Sequence, residues 1–308
     1  MKRAYDSPAN AVQMTPQQKG KSMLPFKKIV FPVDYSDRCQ AVVPYVQEAV
    51  SRFSAQLTLV NAYDSALTSN PELVAAEPHW PEQVKQRAQA QLHEYAAKAF
   101  PSQRADTVCK DGEASAVIDD VVRHQAADLV MLPTHGRGPV RKLLLGSVTA
   151  KVLHDISAAV WTDNGHRKAA DPQGAAYTNI ICAIDFTEES EAVARAGVAL
   201  AKTYNARLTL LHVVEIPPPA MEVDLTPYYE QLLDNANSGF RDLKAKLGID
   251  APHAAVEGIP AIRVCDEAAQ RGADLIVVGR GREQGGWSRM WSRLYAIVRE
   301  APCPVLSI

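Results

Sequence analysis

Two stretches of the chain decide its fold: residues 28–36 read KIVFPVDYS, and residues 179–187 read NIICAIDFT. Each is a short apolar run that ends in an aspartate, Asp34 in the first stretch and Asp185 in the second. A run that is apolar throughout, rather than alternating, is typical of a strand buried on both faces of a parallel sheet. The two aspartates are 151 positions apart (185 − 34), which indicates that the same strand occurs twice in the chain.

Further blocks repeat in the same order along the chain. LTLV at 57–60 recurs as LTLL at 208–211, and ADLV at 127–130 recurs as ADLI at 273–276. Three ordered repeats indicate a duplicated domain. The sequence therefore predicts a disordered N-terminal arm at 1–25, a first domain at 26–162, a linker rich in small and polar residues at 163–177, and a second domain at 178–308.

Strand-like apolar runs alternate with amphipathic segments in both halves. In the first half we predict strands at 29–33, 57–60, 107–109, 129–132 and 158–161, with helices at 37–53 (capped by Asp37), 80–100, 114–125 and 147–156. In the second half we predict strands at 180–184, 208–213, 254–256, 275–279 and 305–308, with helices at 188–204, 225–247, 261–271 and 291–300. Right-handed crossovers then predict an α/β fold of two tandem, doubly wound, parallel five-stranded sheets.

Composition and charge exclude several classes of protein. The 308 residues are 47% hydrophobic and 22% charged, as in a globular chain, and the net charge of −2 gives no attraction for nucleic acid. No apolar run is long enough to predict a membrane span or a secretory signal. Five scattered cysteines without a CxxC pair indicate reduced thiols. A cytoplasmic protein without nucleic-acid or membrane partners is expected.

A candidate site follows from the fold, because open α/β sheets bind ligands beyond the carboxyl ends of their strands. Asp34 ends the first strand, and the loop LPTHGRGPVRKLLLGSVT at 132–149 follows the fourth. Gly136 and Gly138 allow the backbone to approach a ligand, and Gly146-Ser147 open a helix whose free amides suit an anion. Positive charge is added by Arg137, Arg141 and Lys142. Two alternatives stay open on spacing alone: Ser147 as an ordinary N-cap, and Asp34 as a turn or cap residue.

These residues together resemble the universal stress protein domain. The resemblance rests on Pro32-Val33-Asp34, Gly112-Glu113-Ala114, Ala127-Asp128-Leu129, and Gly136 followed by Gly146-Ser147. In the second half, APCPV at 301–305 resembles the final strand of that domain. The resemblance covers essentially everything after residue 26, in two copies. It implies a tandem universal stress protein, with the fold of the adenine nucleotide alpha hydrolase type.

The resemblance also implies a ligand, ATP or a related adenine nucleotide, possibly with Mg²⁺. The nucleotide-binding pattern of the family is G-x2-G-x9-G-[ST], and here Pro133 takes the first position. It implies Asp34 near the adenine or ribose, with the base and phosphates against Pro32, Val33, Ala62, Leu132, Gly136, Gly146, Ser147 and Val148. Pro133 is a departure from the pattern, because proline has no N–H to offer a ligand.

The second half departs further from the same pattern. It keeps Asp185 and Gly279, but Arg282 stands at the second glycine, and Trp291, before Ser292, stands at the third or within one residue of it. We expect the indole to block a phosphate pocket, which makes this copy degenerate. The resemblance implies that it pairs with the first half through the final strands at 158–161 and 305–308, and a homodimer is compatible with this.

Two functions from different classes remain. The first is a regulatory adenine-nucleotide-binding protein, in which any ATP hydrolysis is slow because no general base or metal-ligating set accompanies the loop. The second is a stress-response interaction or scaffold module without nucleotide, motivated by Pro133 and Trp291. An adenylating enzyme is a more distant alternative, since no pyrophosphate loop is present. His212, at the end of an apolar strand, is predicted to be a packed residue rather than a ligand.

Overall fold

The protein is described by a computed structural model over residues 13–14, 26–63, 79–136, 145–165, 173–215, 226–280 and 287–308. It forms two compact units: Phe26–Ala176, here the first unit, and one that contains Tyr177–Ile308, here the second unit. Several residues singled out above lie outside the described residues: Arg137, Gly138, Arg141, Lys142 and Arg282, together with the side chains of Trp291 and Ser292.

The described part of the first unit has five strands and four helices in alternation. They are β1 (Lys28–Pro32), α1 (Asp37–Phe53), β2 (Gln56–Tyr63), α2 (Trp80–Ala99), β3 (Ala105–Asp111), α3 (Ala114–Gln125), β4 (Leu129–Pro133), α4 (Ser147–Asp155) and β5 (Ala159–Asp163). The strand order is β3-β2-β1-β4-β5, and all the pairs are parallel. The direction of winding therefore reverses between β1 and β4.

The second unit repeats this arrangement. Its elements are β6 (Asn179–Ala183), α5 (Glu189–Tyr204), β7 (Arg207–Val214), α6 (Thr226–Leu247), β8 (His253–Glu257), α7 (Pro260–Gln270), β9 (Leu275–Val278), α8 (Trp287–Glu300) and β10 (Val305–Ser307). The strand order is β8-β7-β6-β9-β10, again parallel throughout. The predicted fold class is confirmed in both halves.

The structure departs from the predicted elements in a few places. Ser36, not Asp37, caps α1, because its Oγ accepts a hydrogen bond from the Cys39 amide at 3.1 Å. Strand β5 includes Asp163, where the predicted linker begins. In the leader predicted to be disordered, Gln13–Met14 pairs antiparallel with Ile249–Asp250, and the rest of the leader lies outside the described residues. No described helix has both the length and the apolar character that crossing a membrane requires.

The repeated ADL blocks have a structural role in both units. The Asp128 carboxylate accepts from the amides of Lys27 and Lys28 at 2.7 and 3.0 Å. The Asp274 carboxylate accepts from the amides of Thr178 and Asn179 at the same two distances. Each aspartate thus satisfies two backbone donors at the start of the central strand, where the sheet offers them no partner. The repeated aspartate therefore connects the start of β4 to the start of β1 in the first unit, and the start of β9 to the start of β6 in the second.

Replacing Asp274 by alanine is expected to lower the free energy of unfolding of the second unit by about 3 kcal/mol, because two backbone amides lose a charged acceptor. Asp274 is only 8% exposed, so water does not readily replace the carboxylate. The measurement is urea unfolding of the full chain. Asp266→Ala is the matched control, since that carboxylate is about half exposed and takes part in a surface ion pair with Arg263. Equal losses in the two variants would contradict the role given to Asp274.

Candidate functional site

A cavity of about 350 Å³ lies in the first unit at the carboxyl ends of β1, β2 and β4, where the winding reverses. Cavities that take small molecules usually measure about 300–1,000 Å³. All nine residues predicted for the site line it: Pro32, Val33, Asp34, Ala62, Leu132, Gly136, Gly146, Ser147 and Val148. The structure brings the predicted residues together, and their contact with a ligand stays a prediction.

Sequence reasoning missed part of the cavity wall. Val60, Asn61 and Thr149 also line it, as do Ala114 and Ile118 from α3. Val60 and Asn61 precede the predicted Ala62 on β2, and α3 starts at the same edge of the sheet at which β1 ends. The crossover topology could therefore have found these residues, whereas the motif alone could not.

Asp34 is held in place by its own turn. Its Oδ1 accepts from the amide and the hydroxyl of Ser36, at 3.0 and 2.7 Å. Its Oδ2 lies against Gly136, where an added Cβ would stand 2.5 Å from it. The turn role that the sequence left open for Asp34 is therefore present, and the same carboxylate also forms part of the cavity wall. Gly136 is required because any side chain there would displace this carboxylate.

The start of α4 also forms part of the cavity wall. Gly146 is the N-cap and offers no side-chain hydrogen bond, so Ser147 is the first helical residue and the N-cap interpretation of Ser147 is wrong. The amides of the first turn are consequently not occupied by a capping side chain, and they lie at the positive end of the helix. Such an end suits a phosphate or another anion.

Backbone contacts fix this end of the cavity. The Gly146 amide donates to the Thr134 carbonyl at 2.9 Å, and an added Cβ on Gly146 would stand 3.0 Å from that oxygen. The Thr149 hydroxyl donates to the Pro133 carbonyl at 2.9 Å. Pro133, the departure from the family pattern, therefore still joins β4 to α4 through its carbonyl. It lines the cavity without supplying an N–H.

The charges around the first cavity are few. Among the described residues that line it, Asp34 is the one titratable side chain. Beside the cavity, Lys151 on α4 lies 3.5 Å from Glu113, the N-cap of α3. Hydrogen bonds from Ser115 and from the Ala116 amide hold the pKa of Glu113 below its ordinary value. The described residues contain no group of three His, Cys, Asp or Glu side chains that could hold a metal ion.

The second unit has a cavity of about 300 Å³ in the corresponding position, at the ends of β6, β7 and β9. Gly279 lines it, and an added Cβ there would stand 3.1 Å from Glu189 Oε2. Arg293 on α8 donates to the carboxylate of Glu215 at the same cavity. The loss of the phosphate pocket in this copy was predicted from Trp291. Glu189, which the structure places directly against the retained Gly279, was not predicted from the sequence.

His212 is both packed and part of the second cavity. Its Nδ1–H donates to the Ile184 carbonyl at 2.7 Å, and its ring packs on Phe186 with centroids 4.6 Å apart. Burial lowers the pKa of this imidazole, against smaller opposing effects of the Ile184 carbonyl and Asp185. Asn61, 151 positions earlier (212 − 61), makes the same bond, since its Nδ2 donates to the Val33 carbonyl at 2.8 Å.

Replacing His212 by asparagine is expected to make the second unit less sensitive to acid. Burial disfavours the protonated imidazole of His212 in the folded state, whereas the unfolded chain protonates it near its ordinary value of about 6.5, so stability is lost as the pH falls below that value. The change removes at most about 1.4 kcal/mol per pH unit from the slope, and the asparagine retains the bond to Ile184. Urea unfolding at pH 7.5, 6 and 5 measures it. Identical slopes in the two proteins would contradict it.

Comparisons with known proteins agree on one family. The sequence profile described as the Universal stress protein family matches residues 25–162 and 176–308. A universal stress protein of Thermus aquaticus is 30% identical over 138 residues, covering 43% of this chain and 98% of the relative. One from Synechocystis is 31% identical over 138 residues, covering 43% of this chain and 85% of the relative. The crystal structure of a universal stress protein from Archaeoglobus fulgidus superposes with a TM-score of 0.66 at 18% identity, covering 91% of this chain and 97% of that one, which shows the fold.

Proposed function

The chain belongs to the universal stress protein family, and we propose that its first unit binds ATP or a related adenine nucleotide in a regulatory role. One observation carries this proposal: the cavity joins a strand-end carboxylate, Asp34, to the uncapped start of α4. A carboxylate accepts hydrogen bonds from sugar hydroxyls, and free helix amides donate to phosphates. A nucleotide presents both groups together.

The apolar part of the wall suits a base. Val33, Ala62 and Ile118 supply apolar lining to the cavity. In the proposed complex the adenine lies against these side chains, Asp34 accepts from the ribose, and the amides of the first turn of α4, from Ser147 onward, donate to the phosphates. If Mg²⁺ is bound, it would enter the site with the phosphates of the nucleotide, since the described residues contain no metal-binding group of three.

The residues that line the first cavity favour binding of ATP without rapid hydrolysis. Hydrolysis needs a group that activates water beside the terminal phosphate. Asp34 is the one titratable side chain among the described lining residues, and Ser36 already engages its Oδ1. We therefore expect at most slow ATP hydrolysis and propose that the bound nucleotide acts as a signal rather than as a substrate.

The second candidate function is an interaction module that binds no nucleotide. Pro133 favours it, because this residue lines the cavity at the first glycine position and has no N–H to donate. Pairing of the two units through residues 158–161 and 305–308, a homodimer and a cytoplasmic location belong equally to both candidates. They remain proposals that rest on the resemblance and on composition.

Calorimetry on nucleotide-stripped protein tests the choice between the two functions. We expect ATP, ADP or AMP to bind with one site per chain, and mass spectrometry of the protein as purified to find an adenine nucleotide. The absence of heat with all three nucleotides would exclude the first function and leave the interaction module. Phosphate release measured on the same sample checks that turnover is slow.

A further inference from the structure

An ion pair joins the starts of two helices beside the first cavity. Lys151 on α4 places its Nζ 3.5 Å from Oε1 of Glu113, the N-cap of α3. The residue that follows Glu113 is Ala114, which lines the cavity, and on the side of α4 the cavity is lined by Ser147 and Val148. The ammonium group of Lys151 therefore lies at the rim of the cavity, between the two helix starts.

Helix geometry directs the Lys151 side chain toward the first turn of α4. Residues three and four positions apart lie on the same face of a helix, so Lys151 shares a face with Val148 and Ser147. Side chains on a helix also lean toward its N-terminus. The long stem of the lysine thus runs toward the amides that are proposed to donate to the phosphates. Its side chain is 55% exposed, which leaves it room to change partner.

Glu113 acts as an anion held at the start of α3. Its Oε2 accepts from the Ala116 amide at 3.1 Å and from the Ser115 hydroxyl, and its Oε1 faces Lys151. The hydrogen bonds from Ser115 and Ala116 hold the pKa of Glu113 below its ordinary value, so the carboxylate is charged at neutral pH. Ion pairs as exposed as this one contribute little to stability. A phosphate, which forms stronger charge-assisted bonds, could therefore replace Glu113 as the partner of the lysine.

Both members of this ion pair are absent from the second unit. The counterparts of the glutamate and the lysine are Ile259 and Ala296, at offsets of 146 (259 − 113) and 145 (296 − 151). The offset of 145 follows from the last strand, where Val160 and Val305 hold equivalent register positions (305 − 160). Ile259 is the N-cap of α7 and forms no side-chain cap, yet that helix still forms. The two charges are thus lost together in the unit that departs further from the family's phosphate-binding pattern.

We propose that Lys151 is a specificity-determining residue of the first unit: it leaves Glu113 to bind the phosphates of the ligand, so that the site selects nucleotides over nucleosides. The inference rests on the function proposed for the first unit and extends it. Glu113 has the opposite effect, because it competes with the phosphates for the same ammonium group. The affinity for ATP is then set by an exchange between two anions, a carboxylate and a phosphate.

Calorimetry of the full chain with ATP and with adenosine tests the role of Lys151. Lys151→Met keeps a long unbranched side chain without the charge, and we expect it to bind ATP about tenfold more weakly and adenosine within about twofold of the unaltered protein. Arg123→Met is the control, since it removes the cation of an exposed ion pair with Asp119 on α3. It lies about 14 Å from Ala114 along that helix, beyond the range of unscreened charge, and should change neither affinity by more than about twofold.

Glu113→Gln tests the competition between the two anions. The amide oxygen of glutamine can still accept from the Ser115 hydroxyl and the Ala116 amide, so the cap of α3 is kept while the charge is lost. We expect ATP to bind about fourfold more tightly, because the lysine is no longer held by a carboxylate. In the Lys151→Met background the same change should improve ATP binding by less than about twofold. Damage to the fold would lower the affinity rather than raise it.

The inference is overturned if Lys151→Met and Arg123→Met bind ATP equally, if Lys151→Met weakens adenosine as much as ATP, or if Glu113→Gln weakens ATP binding. Each of these outcomes leaves ATP bound to the unaltered chain, so the function proposed for the first unit would stand. Absence of ATP binding to the unaltered chain would overturn that function as well, which distinguishes the two failures.

Discussion

Replacing Asp34 by asparagine is expected to weaken ATP binding by at least about a hundredfold, because two ribose hydroxyls lose a charged acceptor and each such bond contributes about 1.5–3 kcal/mol. The substitution is chosen to preserve the fold. Asparagine keeps an oxygen at Oδ1, where Ser36 donates through its amide and hydroxyl. The turn between β1 and α1 should therefore persist while the negative charge disappears. Calorimetry with ATP measures the affinity.

Asp37→Asn is the control for that experiment. It removes the same charge three residues later, from the first turn of α1, at an exposed position outside the described lining of the cavity. We expect its ATP affinity to stay within about threefold of the unaltered protein, as is usual for surface substitutions away from a site. Equal affinities for the Asp34→Asn variant and this control would remove Asp34 from the nucleotide site.

The parts of the structure that the sequence predicted well are those that follow from local pattern. Apolar runs such as those within 28–33 and 179–184 are typical of strands in the middle of a parallel sheet, and β1 and β6 lie there. The helix 114–125 was predicted with its observed ends, and in the structure the Glu113 side chain caps it by accepting from the Ala116 amide. The spacing of the family's nucleotide-binding pattern predicted that Gly136 and Gly146 belong to one site. The crossover topology brings these two glycines together at one cavity.

The features that could not be predicted depend on how the start of each helix packs against the rest of its unit. In the sequence Ser147 resembles an N-cap. In the structure Gly146 occupies the N-cap position of α4, and its amide donates to the Thr134 carbonyl. Glu189 resembled an ordinary acidic residue in the first turn of a helix, where such charges are common. Its position against Gly279 is a tertiary contact, and no spacing along the chain reveals it.

Comparison of the two units distinguishes residues that both folds require from residues that differ at the two cavities. Asp128 and Asp274 perform the same task with nearly the same bond lengths, so both units depend on this connection between strands. Asn61 and His212 differ in chemistry but donate to the equivalent carbonyl. Glu189, which lies against Gly279 at the second cavity and has no part in the sheet, has no acidic counterpart in the first unit, where Arg38 stands at that position. The repeat thus keeps the residues that the fold needs and the strand-end aspartates Asp34 and Asp185, whereas other residues that line the cavities differ between the units.

Replacing Gly146 by valine is expected to lower ATP affinity by at least about a hundredfold while changing adenosine affinity by less than about threefold. An added Cβ would stand 3.0 Å from the Thr134 carbonyl and 3.3 Å from His135 Cα, both of them backbone atoms that cannot swing aside. The loop must therefore move, and the side chain covers the amides proposed to receive the phosphates. Ala105→Val places the same side chain at the start of β3, outside the described wall of the cavity, and should leave both affinities unchanged. A parallel loss of adenosine and ATP would mean that Gly146 supports the whole cavity, and unchanged ATP binding would show that the phosphates lie elsewhere.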